Sequence, residues 1–135
     1  MHSHASQPQR SVSCYHCGHA MKFSPHARSG SCPKCHRRVN LDDIEITTKF
    51  WGGAIETCGR IVIRPGARVR ARSVRSGDGI RIEGELEGAI VSFGPVVIGP
   101  RARWQGELEA PELRIEEGAL VGESTLLIRT RDASV

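Results

Sequence analysis

The sequence predicts an all-β protein in which a small cysteine-rich module precedes a parallel β-helix of about five short coils. Pairs of the form apolar-x-apolar begin at regular intervals, with spacings of 17, 19, 16 and 17 residues. Isoleucine and valine together number 21 against seven leucines, a bias that favours pleated strands. Four of the five cysteines lie before residue 37. The chain therefore divides near residue 43 into two parts of different chemistry.

The composition predicts four segments along the chain. Residues 1–11 and 129–135 are polar tails, residues 12–43 form the cysteine module, and residues 44–128 form the β-helix. Up to residue 43 there are six basic and two acidic residues, whereas the remainder holds thirteen of each, so the net charge of +4 belongs to the first part. No apolar run approaches the ~18 residues that a membrane span needs, and no secretory signal is evident. These features predict a cytoplasmic protein without a direct membrane anchor.

The cysteine module carries two CxxC pairs. Cys14 and Cys17 form the first pair, Cys32 and Cys35 form the second, and fourteen residues separate the pairs. Four thiolates at this spacing are typical of a closed, tetrahedral Zn²⁺ site with a structural role. Two disulfides are disfavoured because nothing indicates export, and a redox motif would need only one pair. The sequence therefore predicts that these four cysteines bind Zn²⁺, and that this binding folds the module.

The module resembles a zinc ribbon, in which two cysteine turns lie on short hairpins. Zinc ribbons bind nucleic acid or protein, or cap a neighbouring domain, and these roles stay open for this chain. Five cations could contact phosphates or a protein partner, although an ordinary surface carries as many. These cations are Lys22, Arg28, Lys34, Arg37 and Arg38.

The repeat units begin with the apolar pairs at Ile44, Ile61, Ile80, Val96 and Leu113. Turn residues follow each pair, and two further apolar positions complete each unit. The second positions are Phe50, Val69, Leu86, Trp104 and Val121, and the third are Ile55, Val74, Ile90, Leu108 and Leu126. This pattern predicts three short strands per unit, stacked as successive coils. A meander or sandwich would not explain why similar residues recur in phase.

The repeats also resemble a known family. Residues 79–90 (GIRIEGELEGAI), 96–115 and 116–122 look like bactofilins, and the resemblance covers residues 55–128. Bactofilins are bacterial polymer-forming cytoskeletal proteins with a right-handed, triangular β-helix, and an amino-terminal zinc ribbon is similar to one branch of them. The resemblance implies nucleotide-independent assembly of β-helices into filaments that act as scaffolds for client proteins.

The two ends of a β-helix are predicted to govern self-assembly, because an unpaired edge can template another strand. At the N-terminal face, Phe50 and Trp51 could join the cysteine module in a cap. At the C-terminal face, Leu126, Leu127 and Ile128 precede the polar tail. These three residues either form an association surface or complete the core, and both roles are compatible.

Charge is divided along the β-helix. Residues 49–81 carry a net charge of +6, and residues 83–123 carry −6. This division either forms an axial dipole that favours lateral antiparallel or head-to-tail contacts, or it pairs locally as ladders between neighbouring coils. The sequence leaves both interpretations open.

The sequence does not favour an enzyme. β-Helix enzymes of the hexapeptide type use histidine as a base or metal ligand, and residues 37–135 contain none. Cys58 is the one thiol outside the module, and we expect it to be a small buried or loop residue. There is no phosphate-binding GxxxxGK[ST] loop.

Overall fold

The computed structural model describes residues 9–128, which form fourteen strands. No helix occurs among these residues. The first four strands build two antiparallel hairpins in the cysteine module. They are β1 (Arg10–Ser13) with β2 (Ala20–Phe23), and β3 (Ser29–Ser31) with β4 (Arg38–Asn40). The predicted tails lie mostly outside the described residues.

The remaining ten strands form two parallel five-stranded sheets. One sheet holds the short strands β5 (Ile44–Ile46), β7 (Arg60–Ile63), β9 (Gly79–Ile82), β11 (Val96–Ile98) and β13 (Leu113–Ile115). The other holds the long strands β6 (Lys49–Thr57), β8 (Arg68–Ser76), β10 (Glu85–Ser92), β12 (Arg103–Ala110) and β14 (Leu120–Ile128). The chain alternates between the sheets, and each strand pairs with its counterpart one repeat earlier and later. This arrangement confirms the parallel β-helix of five coils.

The prediction of three strands per coil was wrong, because each coil contains one short and one long strand. Each long strand turns a corner in its middle without a turn that would end it. In β8, Val69, Ala71, Val74 and Ser76 are buried, so the alternation changes phase between Ala71 and Val74. The paired register nevertheless runs from Lys49↔Arg68 through to the end of the strand. Small residues such as Ala71 and Ser73 allow the bend. The two apolar positions on either side of it therefore belong to one strand, although the sequence pattern indicates two.

In β10 and β12 a glycine occupies this corner. Gly88 and Gly106 have φ values of 154° and 137°, which side-chain-bearing residues rarely adopt. A Cβ atom on Gly106 would overlap the carbonyl of Gly88, and a Cβ on Gly88 would overlap the carbonyl of Ala71. The backbones of successive coils thus approach closely at this corner, and the register between β8 and β10 shifts there by one residue at Gly88.

The core is a set of columns in which one residue per coil points inward. Members of the short-strand sheet such as Ile61, Ile82 and Ile98 are at most 2% exposed. Burial of these side chains contributes about 1.5–3 kcal/mol each. The column members in the fifth coil differ, because no further coil in the described part of the chain covers them. Ile115 is 46% exposed.

Opposite charges on neighbouring coils form ion pairs along the outside. Arg64 contacts Glu45 at 3.2 Å and Glu83 at 3.6 Å, so it joins three successive coils. Arg70 contacts Glu87 at 3.3 Å. These pairs agree with the interpretation of local charge ladders. Four cations on the first two coils make no ion pair with any residue of 9–128, so a basic excess remains at that end of the β-helix. They are Lys49, Arg60, Arg68 and Arg72.

A second corner of the β-helix carries a column of buried hydroxyl groups, which we call the hydroxyl corner. It consists of Thr57, Ser76 and Ser92, each 0% exposed. The Ser76 hydroxyl donates to the Gly59 carbonyl at 2.7 Å and accepts from the Gly79 N–H at 2.9 Å. The column therefore satisfies backbone groups that the turns between long and short strands would leave unpaired. In the last two coils the equivalent positions are Ala110 and Ile128.

Candidate metal centre and its contact with the β-helix

The four cysteines of the two CxxC pairs come together in space. Their sulfur atoms all lie within 4.8 Å of one another. The Sγ atoms of Cys14 and Cys35 are 3.8 Å apart, and those of Cys17 and Cys32 are 3.7 Å apart. Each of these contacts joins a cysteine of the first CxxC motif to a cysteine of the second. Cys14 and Cys32 are buried, whereas Cys17 and Cys35 are half-buried. This cluster could hold a metal ion.

The two pairs lie on equivalent turns that follow strands β1 and β3. In the first turn the Gly18 N–H donates to the Cys14 carbonyl at 2.7 Å, and in the second the His36 N–H donates to the Cys32 carbonyl at 2.8 Å. Both Gly18 (φ 80°) and His36 (φ 63°) adopt the left-handed conformation that closes such a turn. Glycine adopts this conformation without steric cost, so Gly18 is a sequence signal for the turn, whereas His36 is not.

The electrostatics of the cluster differ between its members. Burial raises the pKa of the Cys14 thiol to about 12, against the opposing effect of the N–H groups of Cys17 and His16. Burial also raises the pKa of Cys32, but the N–H groups of Cys35 and Lys34 and the neighbouring thiols outweigh it, and the pKa settles at about 7. Backbone N–H groups therefore favour the thiolate at Cys32, whereas burial disfavours it at Cys14.

The donor set fits a soft divalent ion. Four sulfur atoms from two tight turns match the ligands of a closed, tetrahedral structural site. His16 does not join them, since its Nδ1 lies 3.4 Å from the Arg37 guanidinium. Burial lowers the pKa of His16. Within residues 9–128 no group of three or more metal-binding side chains other than this cysteine cluster was found.

The five cations predicted to contact a partner are all exposed. Three of them already have partners inside the module. Arg28 contacts Asp42 at 3.0 Å, Arg37 contacts His16, and Arg38 contacts the Ser29 hydroxyl at 3.5 Å. Lys22 and Lys34 are the other two. Their role in binding nucleic acid or protein stays a prediction.

The cysteine module packs against the hydroxyl corner of the β-helix. The Cys58 N–H donates to the Asn40 carbonyl at 2.7 Å, and the Arg60 N–H donates to the Asp43 carboxylate at 2.8 Å. The Thr57 hydroxyl also bonds with the carbonyls of Asn40 and Asp42. The module thereby satisfies backbone and hydroxyl groups of the first coil.

The contact extends along the side of the second and third coils. Gly18 lies against the Phe93 ring so closely that a Cβ atom at Gly18 would overlap the ring. Gly77 lies against the Ser13 carbonyl in the same way. The sequence did not reveal this lateral contact, since a glycine that is needed for close packing looks like any other turn glycine.

Cys58 is buried at this contact, in agreement with the expectation. It is 0% exposed and belongs to the apolar core of the module together with Tyr15, Val39 and Leu41. Burial raises the pKa of Cys58 to about 11, against the opposing effect of the Tyr15 backbone. The Cys58 thiol is therefore neutral near pH 7, unlike a nucleophilic cysteine.

The residues predicted for self-assembly lie at both ends of the β-helix. Phe50 is half-buried and packs against the core. Trp51 is 63% exposed and lies on the outer side of β6, with the Lys49 ammonium 4.5 Å from its ring centroid. Trp51 thus flanks the first coil and does not lie over it, as a cap that includes Trp51 would require.

At the C-terminal end, Leu126 and Ile128 continue the inward columns of Leu108 and Ala110. They are 44% and 41% exposed, since no further coil within residues 9–128 covers them. Leu127 pairs with Glu109 on the outward column and is 56% exposed. Only two of the three residues therefore belong to the open face of the last coil.

Comparisons with known proteins identify the family. None of residues 9–128 forms a helix long and apolar enough to cross a membrane. A search of curated proteins and a search of solved structures each gave no match. A family model described as "Bactofilin: Polymer-forming cytoskeletal" matches residues 37–125, about two thirds of the chain. Together with the parallel β-helix of five coils, this match shows that the chain belongs to the bactofilin family.

Proposed function

We propose that the chain is a cytoskeletal scaffold protein that self-assembles through its β-helix into nucleotide-independent polymers and has no catalytic role. The observation that carries the proposal is the open face of the last coil, on which Ile115, Leu126 and Ile128 are 46%, 44% and 41% exposed. Each continues a column that is buried in every inner coil. No strand within residues 9–128 pairs with the outer edges of β13 and β14, so these edges add main-chain groups that a second copy can pair with. The bactofilin family forms homopolymers, which supports a second copy of this chain as the occupant.

Self-association tests this proposal. Sedimentation velocity over a range of protein concentrations, combined with negative-stain electron microscopy, is expected to show assemblies that grow with concentration. Filaments or sheets would support the scaffold function. Uniform monomeric particles at every concentration would contradict it and would favour a non-polymerising module whose cysteine-rich part binds nucleic acid or a protein.

We also propose that the ion in the cysteine cluster is Zn²⁺ and that Cys14, Cys17, Cys32 and Cys35 are its ligands. The clustering of four sulfur donors supports this assignment, because thiolates favour soft, redox-inactive Zn²⁺ in structural sites. Elemental analysis of the purified protein should find about one zinc per chain. A chain that folds without bound metal would contradict the assignment.

The proposed compartment is the cytoplasm, where clients of a cytoskeletal scaffold would be found. None of the five cysteines, all of which lie within residues 9–128, forms a disulfide, which suits a reducing compartment. A fluorescent fusion expressed in a bacterial host should therefore appear inside the cell, and a fraction bound to the membrane or exported would argue against this placement.

A further inference from the structure

The cysteine module supplies a partial extra layer to the β-helix at the hydroxyl corner. Between coils, the Gly77 N–H donates to the Thr57 carbonyl and the Phe93 N–H donates to the Ser76 carbonyl, both at 3.0 Å. The same bond recurs once more before the first coil, where the Cys58 N–H donates to the Asn40 carbonyl at 2.7 Å. Asn40 thus occupies the position that a preceding coil would fill.

This layer makes the two ends of the β-helix unequal. On the column that contains Leu126, the first residue is Ile55, which is 5% exposed against 44% for Leu126. On the next inward column, Thr57 is 0% exposed against 41% for Ile128. The N-terminal end is therefore closed at the corner where the C-terminal end is open.

The position of the layer depends on the fold of the cysteine module. Asn40 ends β4, and the neighbouring Val39 and Leu41 are 0% exposed in the core that also contains Cys14 and Cys32. A module of about 30 residues buries too little apolar surface to fold without further support, and a structural metal supplies that support. Loss of the metal should therefore release residues 40–43 from the first coil.

We propose that the metal-folded cysteine module caps the N-terminal end of the β-helix and limits polymer growth at that end. This inference rests on the proposed function, because it concerns the same self-association. A second copy that approaches the N-terminal end must displace residues 40–43, whose carbonyl and carboxylate groups already bond with Thr57, Cys58 and Arg60. The metal-loaded chain thus forms short assemblies, with a pair joined through two C-terminal faces as the smallest product.

Metal removal tests the cap on the full chain with two readouts. Hydrogen exchange reports on the cap itself, and the Cys58 and Arg60 amides should exchange at least about tenfold faster after zinc is removed with a chelator. Sedimentation velocity reports on growth, and the weight-average mass of the assemblies should rise at least about twofold. Addition of Zn²⁺ should reverse both changes, whereas irreversible aggregation of an unfolded module would count against the proposal.

A variant that retains the cysteines provides an independent test. Asp43→Ala removes the acceptor of the Arg60 N–H and a contact of 3.4 Å with Arg10. It should accelerate exchange at Arg60 and lengthen the assemblies at full zinc occupancy. Asp42→Ala is the matched control, because the Asp42 side chain pairs only with Arg28 inside the module among the described residues. This control should behave as the unaltered protein.

The possible outcomes separate the inference from the proposed function. Faster exchange without longer assemblies, or unchanged exchange after zinc removal, would overturn the cap and leave self-assembly through the C-terminal face intact. An absence of assembly in both metal states would overturn the cap and the proposed function together. Longer assemblies with Asp43→Ala but not with Asp42→Ala would support the cap.

Discussion

Replacement of Leu126 by glutamate should abolish assembly through the C-terminal face while leaving the chain folded. Full burial of a leucine side chain contributes about 1.5–3 kcal/mol. Because 44% of Leu126 is exposed, a contact with a second copy would recover about 1 kcal/mol from each chain. Two faces in contact then give about 2 kcal/mol, so Leu126→Ala should weaken association about 30-fold. Glutamate adds the cost of desolvating two like charges, and the loss should exceed about 100-fold.

The assay is sedimentation equilibrium at fixed zinc occupancy, with urea unfolding as a check on the fold. Leu127→Glu is the matched control, since Leu127 lies on the outward column one residue away. Leu108→Ala, at the same column position one coil earlier, should cost about 2–5 kcal/mol of unfolding free energy, whereas Leu126→Ala should cost much less. Assembly of Leu126→Glu at the strength of the unaltered protein would refute the end-face contact. An equal loss with Leu127→Glu would instead indicate a lateral surface.

Three further predictions concern the fold. Gly106→Ala should reduce the unfolding free energy by more than about 2 kcal/mol, because the new Cβ would overlap a backbone carbonyl. Gly66→Ala, whose Cβ would have no atom within 4 Å, should reduce it by about 1 kcal/mol. Equal losses for the two variants in urea unfolding would contradict the close approach of the coils. Ser76→Ala should cost about 1–3 kcal/mol, since it leaves buried backbone groups unpaired, and a neutral result in thermal unfolding would contradict the role of the hydroxyl corner. Burial raises the pKa of Cys58 from 9.0 to about 11, so its contribution to stability is complete below pH 9 and is lost as the pH rises towards 11. Between pH 8 and pH 10 the unfolding free energy should fall less for Cys58→Ala than for the unaltered chain. An equal fall in both proteins would argue against a buried neutral thiol at Cys58.

Much of the β-helix could be predicted from the sequence because its inward columns repeat in phase. Ile61, Ile80 and Val96 recur at nearly constant intervals and lie one above the other in the structure. The clustering of the four cysteines was also predictable, since the CxxC spacing restricts where two sulfur atoms can point. These features depend on local periodicity and spacing, which a single sequence contains.

The corners and the docking of the module were not predictable in the same way. The division of each coil into three strands was wrong because Gly88 and Gly106 bend a strand without ending its hydrogen-bond ladder, whereas glycine in a sequence usually indicates a turn. The contact between Asn40 and Cys58 joins residues 18 positions apart through main-chain atoms, which carry no side-chain signal. Trp51 was expected near a cap, but strand alternation places it on the outer side.

The hydroxyl corner also bears on how the coils find their order during folding. Coils of similar sequence can stack with the wrong neighbour, which is a characteristic error of repeat proteins. Along this corner the residues run Asn40, Thr57, Ser76, Ser92, then Ala110 and Ile128. Ser76 bonds across to the Gly59 carbonyl of the preceding turn, a bond that an apolar side chain at this position could not make. The change from polar to apolar side chains distinguishes the first three coils from the last two, so exchange of a hydroxyl coil with an apolar coil should be disfavoured during folding.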